Sequence, residues 1–306
     1  MAASGQFVNR TYIELPPSVA TQIIQTMQED SAVMALAQKT DLPGWGTTIP
    51  MITSDPEPEW VSETGLKPVK APGLSKKVMQ GYTLSVIVPF SNQFRRDTTT
   101  LFNACVARLP RALSKKIDGT VFHGDAPGSN FDTLKSVTAQ SLTSNVYAGL
   151  VAADMDIATH DGELNGFVLS PVGRGVLLNA TDQNKRPLFI NSVAEGAVPV
   201  ILGRPVKSSR AAYKAGTSPA EDVIGFAGDW TQAQYGIVEG VKIDISDQAT
   251  LTYTDDNSQT VTINLWQQNM FAVRAEIEFG FVANTAVFNK LTAAPTGATG
   301  ATGETA

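Results

Sequence analysis

The sequence holds two histidines and one cysteine, so few side chains are available for acid–base, nucleophilic or metal chemistry. His123 stands in His123-Gly-Asp-Ala-Pro-Gly, close to Asp125. A histidine beside a carboxylate can move a proton. No serine or cysteine nucleophile motif accompanies this pair, and its Gly/Pro surroundings read as a structural turn. Asp156 and His160 are spaced i, i+4 at the end of a helical pattern marked by Leu142, Val146, Leu150 and Ile157. That spacing can set two metal ligands on one helix face. Asp154, Asp161 and Glu163 crowd the same stretch and Gly162 and Gly166 break it, so a solvated acidic helix exit accounts for it better. Cys105 is alone, which excludes an intrachain disulfide and suggests a reducing compartment. There is no phosphate-binding glycine loop, no metal cluster and no Ser-His or Cys-His pair with supporting context. The sequence points away from an enzyme, and no residue is assigned to catalysis, cofactor or metal.

A second set of charges is sorted along the chain. The segment Asp55-Pro-Glu-Pro-Glu-Trp-Val-Ser-Glu-Thr-Gly-Leu-Lys-Pro-Val-Lys-Ala-Pro-Gly-Leu-Ser-Lys-Lys-Val78 contains four prolines and no helical or long strand period. Asp55, Glu57, Glu59 and Glu63 lead; Lys67, Lys70, Lys76 and Lys77 follow, with Trp60 among the acids. A structureless stretch beyond about 15 residues is uncommon inside a compact domain and is usually functional or disordered. The chemistry on offer is ion pairing with another surface. Thr47 to Thr53 reads as a strand before it, and Tyr82, Leu84, Val86, Val88 and Phe90 alternate as a returning strand. A long two-stranded excursion is barely stable alone, so it should lie on something else; from the residues alone a solvated flap stays open.

Other elements must position this segment. In the closing stretch Asn264–Leu291, Phe271, Val273, Ala275, Ile277, Phe279 and Phe281 fall on one side, and Arg274, Glu276 and Glu278 on the other. Period two means a half-buried strand, and twelve residues reach roughly 40 Å. Its three charges read as solvated or lightly paired. Asn92 to Asp118 is the longest helical pattern, with Leu101, Cys105, Leu109, Leu113 and Ile117 in an i, i+4 row beside Phe94, Phe102 and Val106. Pro110 should kink or open it. Its basic excess, Arg95, Arg96, Arg108, Arg111, Lys115 and Lys116, reads first as a solvated face.

Shorter helices are expected over Val19–Met27 and, capped by Asp30 or Ser31, over Val33–Ala37. Phe167–Ser170 reads as a strand, and Pro171 opens a helix through Leu178. Leu251-Thr-Tyr and Val261-Thr-Ile flank the turn Asp255-Asp-Asn as a hairpin. Residues 293–306 read as a flexible tail; their glycine spacing is too brief for a collagen helix.

The bulk numbers set limits. At 306 residues, 42% hydrophobic and 17% charged, the composition is globular. The formal net charge is −6, and a sequence-independent nucleic-acid binder would be basic. No apolar run approaches the roughly 18 residues of a membrane span, and the first residues lack the pattern of a secretory signal.

Several motifs, in order along nearly the whole chain, resemble those of tailed-phage major capsid proteins of the Hong Kong 97-like fold. Trp266, Asn269 and Met270, then Arg274 and Glu276 in the closing strand, then Ala286 and Phe288 carry the first likeness. Gly228-Asp229-Trp230, Tyr235-Gly236 and Ile245-Ser246-Asp247 carry the second. Trp60, Val61, Glu63 and Gly65 resemble the start of the family's extended loop. The Asn92–Asp118 helix is similar to the family's spine helix, from which Pro110 departs. The strand–helix–Arg-Pro succession over residues 167–206 is similar to its axial domain.

The resemblance implies an α+β fold: a peripheral domain with a long spine helix and a long-stranded sheet, an axial domain, an extended loop and an N-terminal arm. The expected division is arm 1–45, extended loop 46–90, spine-helix region 91–135, axial domain 136–240, return sheet 241–292 and tail 293–306. It implies self-assembly as pentamers and hexamers of an icosahedral shell, built in the host cytoplasm, that encloses double-stranded DNA through weak non-specific contact. An acidic subunit suits a container whose contents must enter and leave.

A portal is a further expected partner, separate scaffolding or decoration proteins stay open, and a membrane is not expected. Glu57, Glu59, Trp60, Glu63, Lys67, Lys70, Lys76 and Lys77 are the expected subunit-interface residues, and Arg274, Glu276 and Glu278 mark the closing strand. No fused scaffolding segment is expected. Some family members link a loop lysine to a neighbour's asparagine, but nothing ties Asn284 or Asn289 to a loop lysine here, so a non-covalent shell is expected. A nanocompartment shell of the encapsulin type is the alternative, and an enzyme on an unrelated α+β fold the distant third.

Overall fold

The structure, a computed structural model, describes residues 30–54, 56–93, 99–182, 184, 186–189, 200–217, 220–254 and 258–295; for 51–54 and 99–106 it describes the backbone alone. The helix expected over Val19–Met27, the turn at 255–257, nearly all of the tail, and Asp55, Phe94, Arg95 and Arg96 lie outside the described residues.

In chain order the chain forms helix α1 (Ala32–Leu36), then strands β1 (Gln38–Asp41), β2 (Thr47–Ser54), β3 (Gly73–Met79) and β4 (Tyr82–Ser91). The long helix α2 (Thr99–His123) follows, with strand β5 (Thr138–Ser141), helix α3 (Val146–Thr159), strand β6 (Gly166–Leu169) and helix α4 (Pro171–Leu178) after it. Next come β7 (Val200–Ile201), β8 (Arg204–Ser208), β9 (Asp222–Gly228), β10 (Ala233–Ile237) and β11 (Lys242–Ser246). The hairpin β12 (Thr250–Thr254) and β13 (Thr260–Asn264) leads to β14 (Met270–Ala283) and β15 (Phe288–Ala293).

Local chemistry sets several of these boundaries. Ser31 caps α1, its hydroxyl accepting the Met34 N–H at 3.1 Å. Asn145 caps α3 through Ala148 N–H, and Ser170 caps α4 through Gly173 N–H, with Pro171 in the first turn where its missing N–H costs nothing. Asn269 has φ 54°, a left-handed conformation that asparagine tolerates better than most residues. Its Oδ1 accepts from Asn92 at 2.9 Å, so the Trp266-x-x-Asn-Met motif is a turn that aims the chain into β14.

The 14-residue β14 is the spine of the first sheet. At about 3.3 Å per residue it spans roughly 45 Å. One edge pairs antiparallel with β4 from Met270 to Phe279. The other edge is shared in tandem, β11 along Ala272–Glu276 and β10 along Phe279–Ala283. β1 adds in parallel to β10. The second sheet runs β5-β15-β9-β6-β8-β7. The expected segments therefore interlock: β10, from 136–240, pairs with β14, and β15, from the closing segment, pairs with β9 and β5.

The expected returning strand of the ribbon needs correction. Tyr82–Ser91 belongs to the main sheet, and the partner of β2 is β3, whose exposed Lys76 and adjoining Lys77 hid its period. The long helix also runs past the expected end at Asp118 and stops at His123. Pro110 lies within it, and the helix continues through it, with Ser114 Oγ donating to the Pro110 carbonyl at 3.0 Å. Leu109, Leu113, Ile117 and Val121 form its buried row. The core between helices and sheets is rich in rings: Phe122 stacks on Phe226 at 4.8 Å, and Phe90 on Phe271 at 5.6 Å.

Candidate subunit interface

The ribbon β2–β3 leaves the main sheet at a narrow base. Met79 is buried there with Leu42 and Val282. Gly46 has φ 87°, and a Cβ on it would stand 2.8 Å from the Met79 carbonyl oxygen, so the turn into β2 requires glycine. Lys77 ties the ribbon down: its Nζ donates to Asp132 Oδ2 and to the Ala283 carbonyl, both at 2.7 Å. Asp132 also accepts the Ala283 N–H at 3.0 Å.

Beyond this base, residues 56–72 are all exposed and form no helix or strand. Their internal ties are a turn bond from Gly65 N–H to the Ser62 carbonyl at 2.9 Å and the Lys70–Glu59 ion pair at 2.6 Å. Trp60 is fully exposed, and Leu66 and Val69 are 98% and 99% exposed. A single exposed apolar residue needs no explanation, but three nearly bare ones on one short segment mark it as a candidate interaction surface.

The sequence-expected residues thus divide. Glu57, Trp60, Glu63, Lys67 and Lys76 are exposed and make no ion pair among the described residues. Glu59 and Lys70 neutralise each other, and Lys77 is satisfied within its own chain. In the closing strand Arg274 donates to Asp244 on β11 at 2.5 Å and lies 3.4 Å from Glu276; its pKa is raised, chiefly by the Asp244 bond. Those charges serve a cross-strand ladder. Glu278 makes no ion pair among the described residues.

The two chemically suggestive pairs separate. His123 is the last residue of α2, its ring 5.4 Å from Phe226, while Asp125 pairs with Lys135. Burial lowers the His123 pKa, and Lys214 and Lys290 add to this against a hydrogen bond to the Ala212 backbone. His160 Nδ1 lies 2.8 Å from the Asp156 carbonyl oxygen as part of a helix C-cap. Among the described residues no group of three or more His, Cys, Asp or Glu could hold a metal.

Two carboxylates that sequence patterns did not single out as anchors hold the subunit together. Asp118 is buried and accepts from Ser31 Oγ at 2.6 Å, Ala32 N–H at 3.0 Å, Ser209 Oγ at 3.0 Å and Val33 N–H at 3.4 Å. It caps α1 from a distance and fastens it to α2. Burial raises its pKa, against those hydrogen bonds. Asp229 caps the 3-10 turn Trp230–Gln232, where the chain passes from one sheet to the other. It accepts from Glu163 N–H, Asn165 Nδ2, Thr231 N–H and Oγ1, and Gln232 Nε2. Burial alone would raise its pKa; the hydrogen bonds from Thr231, Glu163 and Gln232 bring it below the ordinary value.

A basic cleft of about 690 Å³ opens beside α1 and α2, with Arg108, Arg111, Lys115 and Arg210 on its walls. Asp30 lies 3.8 Å from Arg111, and Asp118 is occupied by its own donors. The helical spacing of Arg108, Arg111 and Lys115 is visible in sequence; only the tertiary fold adds Arg210.

A projecting ribbon, an α+β body with a long closing strand and a polar Gly-Asp-Trp corner are the parts expected of a shell subunit. The model of the Phage capsid family matches residues 13–293. This chain belongs to that family. It is a structural shell protein, not an enzyme. It is 28% identical over 294 residues to the probable major capsid protein gp17 of Mycobacterium phage D29, covering 94% of this chain and 91% of that one. It is 27% identical over 285 residues to the major capsid protein of Staphylococcus phage 80alpha, covering 89% and 82%. A solved chain from Mycobacterium phage Adephagia has a TM-score of 0.70 at 21% identity, covering 87% of this chain and 91% of that one. The capsid of an empty GTA particle gives 0.62 at 12% identity, covering 96% and 95%. These likenesses identify the fold as Hong Kong 97-like. Nothing in them supports a nanocompartment.

Proposed function

We propose that this chain is the repeating subunit of an icosahedral head, assembled in the host cytoplasm as pentamers and hexamers around double-stranded DNA. The observation that carries this is the ribbon tip, residues 56–72, exposed throughout with Trp60, Leu66 and Val69 in water. A segment with so few internal ties gains order only on another surface, and in a closed symmetric shell that surface is the next copy. Glu57, Trp60, Glu63, Lys67 and Lys76 form the contact set, while Lys77 holds the ribbon's base. The basic cleft at Arg108, Arg111, Lys115 and Arg210 suits weak, salt-sensitive contact with packaged DNA phosphates. A portal completes one vertex. Electron microscopy of the purified protein tests the reading: closed isometric particles are expected, and a monomer that never assembles with or without co-expressed neighbouring phage proteins would contradict it.

A further inference from the structure

A second cavity, about 550 Å³, lies where the end of α2 meets β15 and the segment before β9. Its size falls in the range of about 300–1,000 Å³ typical of built pockets. Phe122, His123 and Val223 contribute its floor, and Lys135, Lys214 and Lys290 stand around it. Lys135 is engaged by Asp125. Lys214 and Lys290 make no ion pair among the described residues; Lys290 Nζ reaches only the Lys135 carbonyl, at 3.5 Å. Glu221 also lines the cavity, but its carboxylate is turned to the hydroxyls of Ser141, Thr143 and Thr292. Because burial keeps His123 neutral, the floor carries no charge at neutral pH. The cavity therefore asks for an apolar body flanked by anions.

The chain carries such a body. Trp60 is fully exposed, with Glu57 three residues before it and Glu63 three after, and neither glutamate has an ion pair among the described residues. Pro56 and Pro58 restrict the backbone there, which lowers the cost of ordering it. Prolines at 56 and 58 favour a polyproline II chain, whose three-residue turn at about 3.1 Å per residue returns positions three apart to the same side about 9 Å away. Glu57 and Glu63 therefore fall one at each end of a seated indole. Trp60 does not enter the cavity of its own chain, so the occupant is another copy.

We propose that this cavity receives Trp60 of a second copy, with Glu57 and Glu63 of that copy paired to Lys214 and Lys290. This rests on the shell-subunit reading and names where the ribbon lands. Buried aromatic anchors carry most of the energy of an interface, and complementary charge fixes register.

The test uses two single-cysteine chains, Ser62→Cys and Ala139→Cys, each also carrying Cys105→Ser. They are mixed in equal amounts, assembled and oxidised. A disulfide-linked dimer is expected in particles and not in unassembled subunits, and adding Trp60→Ala to the first chain should remove it. In parallel, Glu57→Lys/Glu63→Lys and Lys214→Glu/Lys290→Glu should each lower particle yield about tenfold or more, and one chain carrying all four changes should recover most of it. Circular dichroism checks that each variant is folded. Mixed particles of the two cysteine variants that yield no cross-link, or charge reversals that never compensate, overturn this proposal alone. Failure of the wild type to form particles overturns the shell reading and the proposal together.

Discussion

The molecule places a tryptophan beside a carboxylate twice, and the two pairs have opposite surroundings. At the sheet-to-sheet corner Trp230 is 2% exposed, its indole N–H donates to the Gly166 carbonyl at 3.2 Å, and Phe288 meets it edge-on. Asp229 beside it accepts five hydrogen bonds. On the ribbon Trp60 is bare and Glu59 has one exposed lysine partner. The residue types are the same; what differs is who supplies the partners. Where the chain supplies them, the motif serves folding. Where it does not, the motif serves assembly.

Mutations that break this contrast should rank by how much of their surroundings lies within one chain. Trp230→Ala removes a buried aromatic and should destabilise the subunit by about 3–5 kcal/mol, read as a lower denaturant midpoint and loss of soluble protein. Particle yield should fall only because folding fails.

Asp118→Ala should cost about 1–3 kcal/mol, because the buried donors from Ser31, Ala32 and Ser209 lose their acceptor. Asp118 also predicts a pH dependence. Its folded pKa is raised, so the folded state holds this proton more tightly than the unfolded one. Its contribution to stability is therefore most favourable below about pH 4 and declines as pH rises through the folded value. Asp118→Asn lacks that slope, so the stability of the wild type relative to it should fall as pH rises through this window. A constant difference across the range would contradict the assignment.

Lys77→Met removes a half-exposed tie to Asp132 and the Ala283 carbonyl. It should cost about 0.5–1.5 kcal/mol and loosen the ribbon's base, visible as faster amide exchange in β3. Trp60→Ala comes last for the isolated subunit, within about 0.5 kcal/mol of wild type, yet it should sharply reduce assembly. A large loss of subunit stability would place Trp60 with Trp230 and erase the contrast.

The sequence disclosed these two regions unequally. The alternation Phe271 to Phe281 is visible because one face of β14 is buried, and the structure keeps all six of those residues inside. The caps at Ser31, Asn145 and Ser170 act over a few residues, so local order reveals them. β3 was hidden because a ribbon with two wet faces has no reason to alternate. Asp118 reads as a surface acid ending a basic helix until the fold brings Ser31 and Ser209 to it. The split between Lys77, tied to its own chain, and Lys76, left exposed, depends on Asp132, far away in sequence. The absence of structure in residues 56–72 was legible from the prolines; what covers them was not, because their proposed partner is another molecule.

The central claim, that residues 56–72 are ordered by a neighbour and not by their own chain, is tested most directly by amide hydrogen exchange on the free subunit and on the assembled particle. The account predicts rapid exchange across 56–72 in the subunit, strong protection in the particle, and unchanged slow exchange at β9 and β14 in both. Equal protection of 56–72 in the two states, or rapid exchange in both, would contradict it.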